Sequence, residues 1–89
     1  MPPAFTPIEE GVLEVLRNVS RRPIEPTLTS ELVADLGFDS LQVLEVVAEL
    51  EDRFAIAIPI DDVPVTRTVA EVVAQVAALV EQAPGQPAT

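Results

Sequence analysis

The chain has 89 residues, with fifteen acidic side chains against five basic ones, for a net charge of −10. That length suits one domain and leaves no room for a deep enclosed active site beside a core. The charge excludes nucleic acid and anionic membrane surfaces, which attract clustered Lys and Arg, and it favours protein partners that carry a basic patch.

The residues that are missing narrow the chemistry further. There is no His, Cys, Lys, Tyr or Trp. Zinc sites built on His or Cys are therefore excluded, as are His- or Cys-activated nucleophiles and lysine Schiff bases. Only carboxylates remain as general acids or bases. Asp61-Asp62 is the best carboxylate pair, but adjacent side chains diverge and calcium-loop spacing is absent, so we expect no metal site. Met1-Pro2-Pro3-Ala4 lacks the basic and apolar regions of a signal peptide, and no apolar run approaches the ~20 residues that span a bilayer. The expected location is the cytoplasm. Hydrophobic residues make up 48% of the chain, and Phe5, Phe38 and Phe54 are its only aromatics, so the core must be mainly aliphatic.

Thr6-Pro7-Ile8-Glu9 opens a first helix: Thr6 caps, Pro7 suits the first helical position and Glu9 completes a capping box. Ile8, Val12, Val15, Leu16 and Val19 follow at helical spacing, so the helix is predicted over residues 7–20, slightly weakened by Gly11. Residues 21–30, with Pro23 and Pro26, read as a long first loop. Leu28, Leu32, Val33 and Leu36 should pin this region across the bundle, with one helical turn over 31–35 that ends at Gly37. Asp39 and Gln42 form the next cap, and a second helix should run to Phe54. Residues 55–59 read as a buried connector. Pro59 and Pro64 limit a short third helix to about one turn near 61–63. Thr68 and Glu71 make a last capping box, and Val69, Val72, Val73, Val76, Leu79 and Val80 carry a final helix to Gln82. The sum is an all-α domain over residues 1–82, a four-helix bundle of three main helices and one short one, followed by a flexible Pro-rich tail over 83–89.

The second helix has two apolar faces. At about 100° per residue, Val43, Val46, Val47, Leu50 and Phe54 share one arc wide enough to bury. Leu41, Leu44 and Ala48 share another, with Glu45 and Asp52 along one edge and Glu51 near the other. Packing under the first loop, against Leu28 or Leu36, is the structural explanation of that second strip; a docking face with a charged rim is the functional one. Residues 35–62 hold eight acids against the single base Arg53, which favours docking. Glu49 reads as an ordinary solvated charge.

Ser40 lies in Asp35-Leu36-Gly37-Phe38-Asp39-Ser40-Leu41. It has no Gly-x-Ser-x-Gly elbow and no His or Lys to activate it. Asp39 already fills the cap role, which leaves Ser40 in a first turn where unpartnered N–H groups and the helix dipole favour negative charge. A phosphate ester there would gain about 0.3–1 kcal/mol, partly opposed by Asp39.

Asp-Leu-Gly-Phe-Asp-Ser-Leu, followed by Glu45, Leu50, Glu51, Phe54 and then Ile58-Pro59, resembles the acyl carrier proteins from about Pro7 to Gln82. The resemblance implies that Ser40, flanked by Asp39 and Leu41, bears a 4′-phosphopantetheine arm. A phosphopantetheinyl transferase would add the arm from coenzyme A, and its thiol would hold acyl groups as thioesters. It also implies partner docking through Leu41, Leu44, Glu45, Ala48, Glu51 and Asp52, to acyl-processing enzymes with basic patches. Gln42 stands where an acid often follows, Ala48 replaces a common methionine, Phe38 replaces a small residue, and Pro64 should shorten the third helix. These departures lean towards a specialised or polyketide-type carrier rather than a housekeeping one. The expected protein is a monomeric carrier with no catalysis of its own; Met1 favours a free-standing chain, while the Pro-rich tail leaves open a piece of a larger synthase. The alternatives are a cofactor-free helical adaptor and a peptidyl or aminoacyl carrier, although the Gly-Gly-His-Ser-Leu run common in peptidyl carriers is absent.

Overall fold

The computed structural model describes residues 6–59 and 68–82. Three helices follow in chain order, α1 (Pro7–Val19), α2 (Ser40–Phe54) and α3 (Val69–Gln82). The short third helix expected near 61–63 and the tail 83–89 lie outside the described residues.

Each helix begins as its sequence dictates. Thr6 Oγ1 accepts from the Glu9 N–H at 3.1 Å, and Glu9 Oε1 accepts from the Thr6 N–H at 2.8 Å, closing the capping box. α1 stops at Val19, one residue short of the prediction, because Ser20 turns extended at ψ 138° while its N–H still bonds the Leu16 carbonyl. Thr68 and Glu71 exchange bonds of 3.0 and 3.3 Å at the start of α3. The next two N–H groups of α3 reach into the first loop, Val69 to the Ser30 carbonyl at 2.9 Å and Ala70 to the Leu28 carbonyl at 2.8 Å. Donors orphaned by the helix end are thus satisfied by the loop, which stitches it across the bundle. An antiparallel bridge between Glu31 and Thr68 continues the seam.

α1 packs on both α2 and α3. Val12, Val15 and Leu16 of α1, Val43, Val46 and Leu50 of α2, and Val69, Val72 and Val76 of α3 are the innermost side chains, and Leu32, Leu36 and Phe38 from the segment before α2 are buried with them. Val73, Leu79 and Val80 pack at the edge, only partly buried. The core is aliphatic apart from Phe38, as expected. The turn over 31–35 is present, with the Asp35 and Leu36 N–H groups both donating to the Glu31 carbonyl and Gly37 ending it at φ +74°. One of its expected anchors fails: Val33 is 40% exposed, because it points away while Leu32 and Leu36, neighbours around the turn, fill the core.

After α2, Ala55 takes a left-handed conformation, and residues 56–59 continue outside helix and strand. The expected buried connector is buried on alternate residues only: Ile56 and Ile58 point inward, while Ala55, Ala57 and Pro59 are exposed. Burial thus alternates with a period of two, the period at which side chains change sides along a strand-like segment. Gly11 proves to be a contact point rather than a mere weakness in α1. A Cβ there would stand 2.5 Å from Phe54 Cζ, so the bare backbone admits the Phe54 ring at the far end of α2.

Candidate functional site

The start of α2 is built by a reciprocal cap. Asp39 is extended at φ −91° and ψ 178°, and its Oδ1 accepts from the Gln42 N–H at 2.8 Å. Gln42 Oε1 accepts from the Asp39 N–H at 3.2 Å. Gln42 is 7% exposed and is the one buried polar side chain among the described residues. Its place in the sequence is therefore explained by the cap: an acid there would set two carboxylates against each other in a half-buried site.

Ser40 is the first residue of α2 and is exposed. Its hydroxyl makes no hydrogen bond among the described residues. Because Asp39 does the capping, the Ser40 Oγ is left free at the surface. Such a hydroxyl, with no acid–base partner, has no reactivity of its own, yet a second enzyme can reach it.

The apolar strip expected beside it stays in solvent. Leu41 is 59% exposed and Leu44 50%, and Ala48 is exposed as well. Leu28 and Leu36 turn into the core instead of covering Leu41. Glu45 and Asp52 stand exposed at one edge of the strip. Alongside lies an open cleft of about 450 Å³ lined by Asn18, Val19, Arg21, Glu45, Ala48 and Glu49. Glu51 differs from the other rim acids: it is half-buried, and its Oε2 accepts from the Ile58 N–H at 2.8 Å. That bond ties α2 to the connector that follows it.

A second cleft, of about 210 Å³, opens beside the α2 cap and is lined by Ser20, Arg21, Arg22, Leu36, Gly37, Phe38 and Gln42. Sequence reasoning gave these arginines no role, and the only signal available was two of five bases side by side in an acidic chain. No group of three or more metal-ligating side chains occurs among the described residues, and none of their helices is long and apolar enough to cross a membrane.

Comparison with known proteins agrees with this geometry. Residues 10–76 match the family model described as the phosphopantetheine attachment site. The meromycolate extension acyl carrier protein of Mycobacterium tuberculosis is 35% identical over 85 residues, covering 94% of this chain and 74% of the relative. An acyl carrier protein of a Sulfurovum species is 44% identical over 69 residues, covering 78% of this chain and 88% of the relative. A solved structure assigned as an acyl carrier protein of Mycobacterium tuberculosis superposes with a TM-score of 0.73 at 38% identity, covering 80% of this chain and 96% of that one. The three-helix domain is thus the frame of a cofactor-bearing carrier. The chain belongs to the phosphopantetheine-binding acyl carrier proteins.

Membership settles the class of function. The protein bears a phosphopantetheine arm, presents acyl groups to acyl-processing enzymes in biosynthesis, and is not itself a catalyst. A phosphopantetheinyl transferase is among the partners of the family.

Proposed function

We propose that Ser40 is the attachment point of the arm. The observation that carries this reading is a spare hydroxyl: Ser40 is exposed, without a hydrogen bond among the described residues, and relieved of capping by Asp39. Asp39 and Leu41 flank it. Asp39 holds the helix start rigid, and Leu41 offers an apolar contact at its side. The arm supplies a terminal thiol on which an acyl group rides as a thioester, in a chain that has no cysteine.

The docking face is the strip of Leu41, Leu44 and Ala48 with Glu45 and Asp52 on its rim, received by partner enzymes through a basic patch. Glu51 belongs to this face by position, and its bond to the Ile58 N–H gives it a bracing role as well. The protein acts as a cytoplasmic monomer in a specialised pathway of long-chain acyl or polyketide type. Phe38, filling the core below the cap, and small Ala48 on the docking strip support that preference.

The test is an intact mass after incubation with a phosphopantetheinyl transferase and coenzyme A. One phosphopantetheinyl group should be gained by the protein and none by Ser40→Ala. A gain that persists in Ser40→Ala would place the attachment elsewhere.

A further inference from the structure

We infer that Arg21 and Arg22 form a clamp, in cis, for the phosphodiester that joins the arm to the protein, with Arg22 its principal residue. The inference rests on Ser40 as the attachment point. Both arginines line the cleft beside the α2 cap, together with Gly37, Phe38 and Gln42. The guanidinium of Arg22 lies against Gly37, with one terminal nitrogen 2.7 Å from where a Cβ would stand. Gly37 is at φ +74°, so glycine is favoured there by the backbone as well as by the arginine.

The arginine backbone is held in place. Ser20 Oγ donates to the Arg22 carbonyl at 2.6 Å and accepts from the Arg22 N–H at 3.3 Å. Neither guanidinium pairs with a carboxylate among the described residues, where Arg53–Glu14 is the ion pair that forms. Arg17 is also without an ion pair among the described residues, so what singles out Arg21 and Arg22 is their place beside the α2 cap. The pair also meets a local electrostatic need. A phosphodiester on Ser40 carries one negative charge and sits next to the Asp39 carboxylate, which repels it. A guanidinium fork offsets that repulsion with paired N–H···O bonds. Ser40 lies three residues beyond Gly37, so the two are separated by at most about 11 Å, and the Arg22 side chain extends as far as Gly37; a phosphodiester on Ser40 has to lean back towards the cleft to meet it.

The test compares apo and holo forms of the full chain, once intact mass has shown that one phosphopantetheinyl group is attached. The readouts are the Arg Nε–H resonances of 15N-labelled protein and the 31P resonance of the holo form. The Arg22 resonance should move on loading, while that of Arg17, out on α1, stays in place. The 31P resonance of holo Arg22→Gln, which keeps most of the side-chain stem, should move towards that of free phosphopantetheine, and Arg22→Lys should fall between. Added salt should shrink the difference between wild type and Arg22→Gln. An Arg22 resonance indifferent to loading, or a 31P resonance identical in wild type and Arg22→Gln, overturns the clamp and leaves the carrier reading standing. A missing mass gain overturns both. An equal Arg22 shift when coenzyme A is mixed with Ser40→Ala protein would reveal a site for free anions and overturn the assignment in cis.

Discussion

The two faces of α2 carry the same kinds of side chain and meet opposite fates. Val43, Val46 and Leu50 are at most 1% exposed, whereas Leu41 and Leu44 on the other face are 59% and 50% exposed. Residue type does not separate them; angular position does. The inner face holds the domain together through removal of apolar surface from water. The outer face is left about half in solvent, and it is the strip proposed above for docking. A helix in a domain this small can therefore bury one apolar stripe while leaving a second in solvent.

Substitutions at matched leucines should break the comparison most sharply. Leu50→Ala should cost about 2–5 kcal/mol, read as a fall in Tm at about 4–8 °C per kcal/mol in a domain of this size. Leu44→Ala should stay within about 0.5 kcal/mol of wild type. Equal losses at the two positions would mean that the outer strip is part of the core.

The next effect in size concerns the end of α2. Gly11→Ala forces a methyl group against the Phe54 ring and within 3.0 Å of Arg53 Nε. Overpacking there outweighs the better helix propensity of alanine, for a net loss of about 1 kcal/mol in thermal unfolding. Phe54→Leu in the same chain removes the ring edge, so the double variant should lose less than the sum of the two single changes. Strict additivity would show that Gly11 and Phe54 do not press on each other.

The smallest effect on folding should come with the largest effect on partners. Glu45→Lys and Asp52→Lys reverse exposed charges and should leave Tm nearly unchanged. Both should slow phosphopantetheinyl transfer and acyl exchange at low ionic strength, and the difference from wild type should fade as salt rises. Rates unchanged at low salt would move the docking face elsewhere.

Most of the fold was legible because its signals are local. All three helix starts carry a side chain that bonds a backbone N–H three residues on, and each pair, Thr6 with Glu9, Asp39 with Gln42 and Thr68 with Glu71, could be read directly from spacing. The inner stripe of α2 followed from period alone. The exposure of Leu41 did not, since a loop leucine could have covered it; the structure sends Leu28 and Leu36 inward instead. Val33 was misplaced for a related reason: a single turn can bury only one side, and the composition does not say which. That Asp39 takes the cap and leaves Ser40 in the first turn could be read from spacing, whereas the exposure of Ser40 and the absence of a hydrogen bond to its hydroxyl among the described residues required the structure.

The sequence by itself determined where helices begin, which face of α2 is inner, how acidic the surface is, and which serine stands at a helix start. These depend on neighbours within a turn or on counts, and both are written along the chain. Only the tertiary structure decided that the first loop is stitched to α3 through Leu28 and Ser30. It also decided that Gly11 yields to Phe54, that Glu51 braces Ile58, and that Arg21 and Arg22, without an ion pair among the described residues, lie beside the α2 cap. Each of these contacts joins residues brought together by packing, and no periodicity or motif records which distant groups will meet.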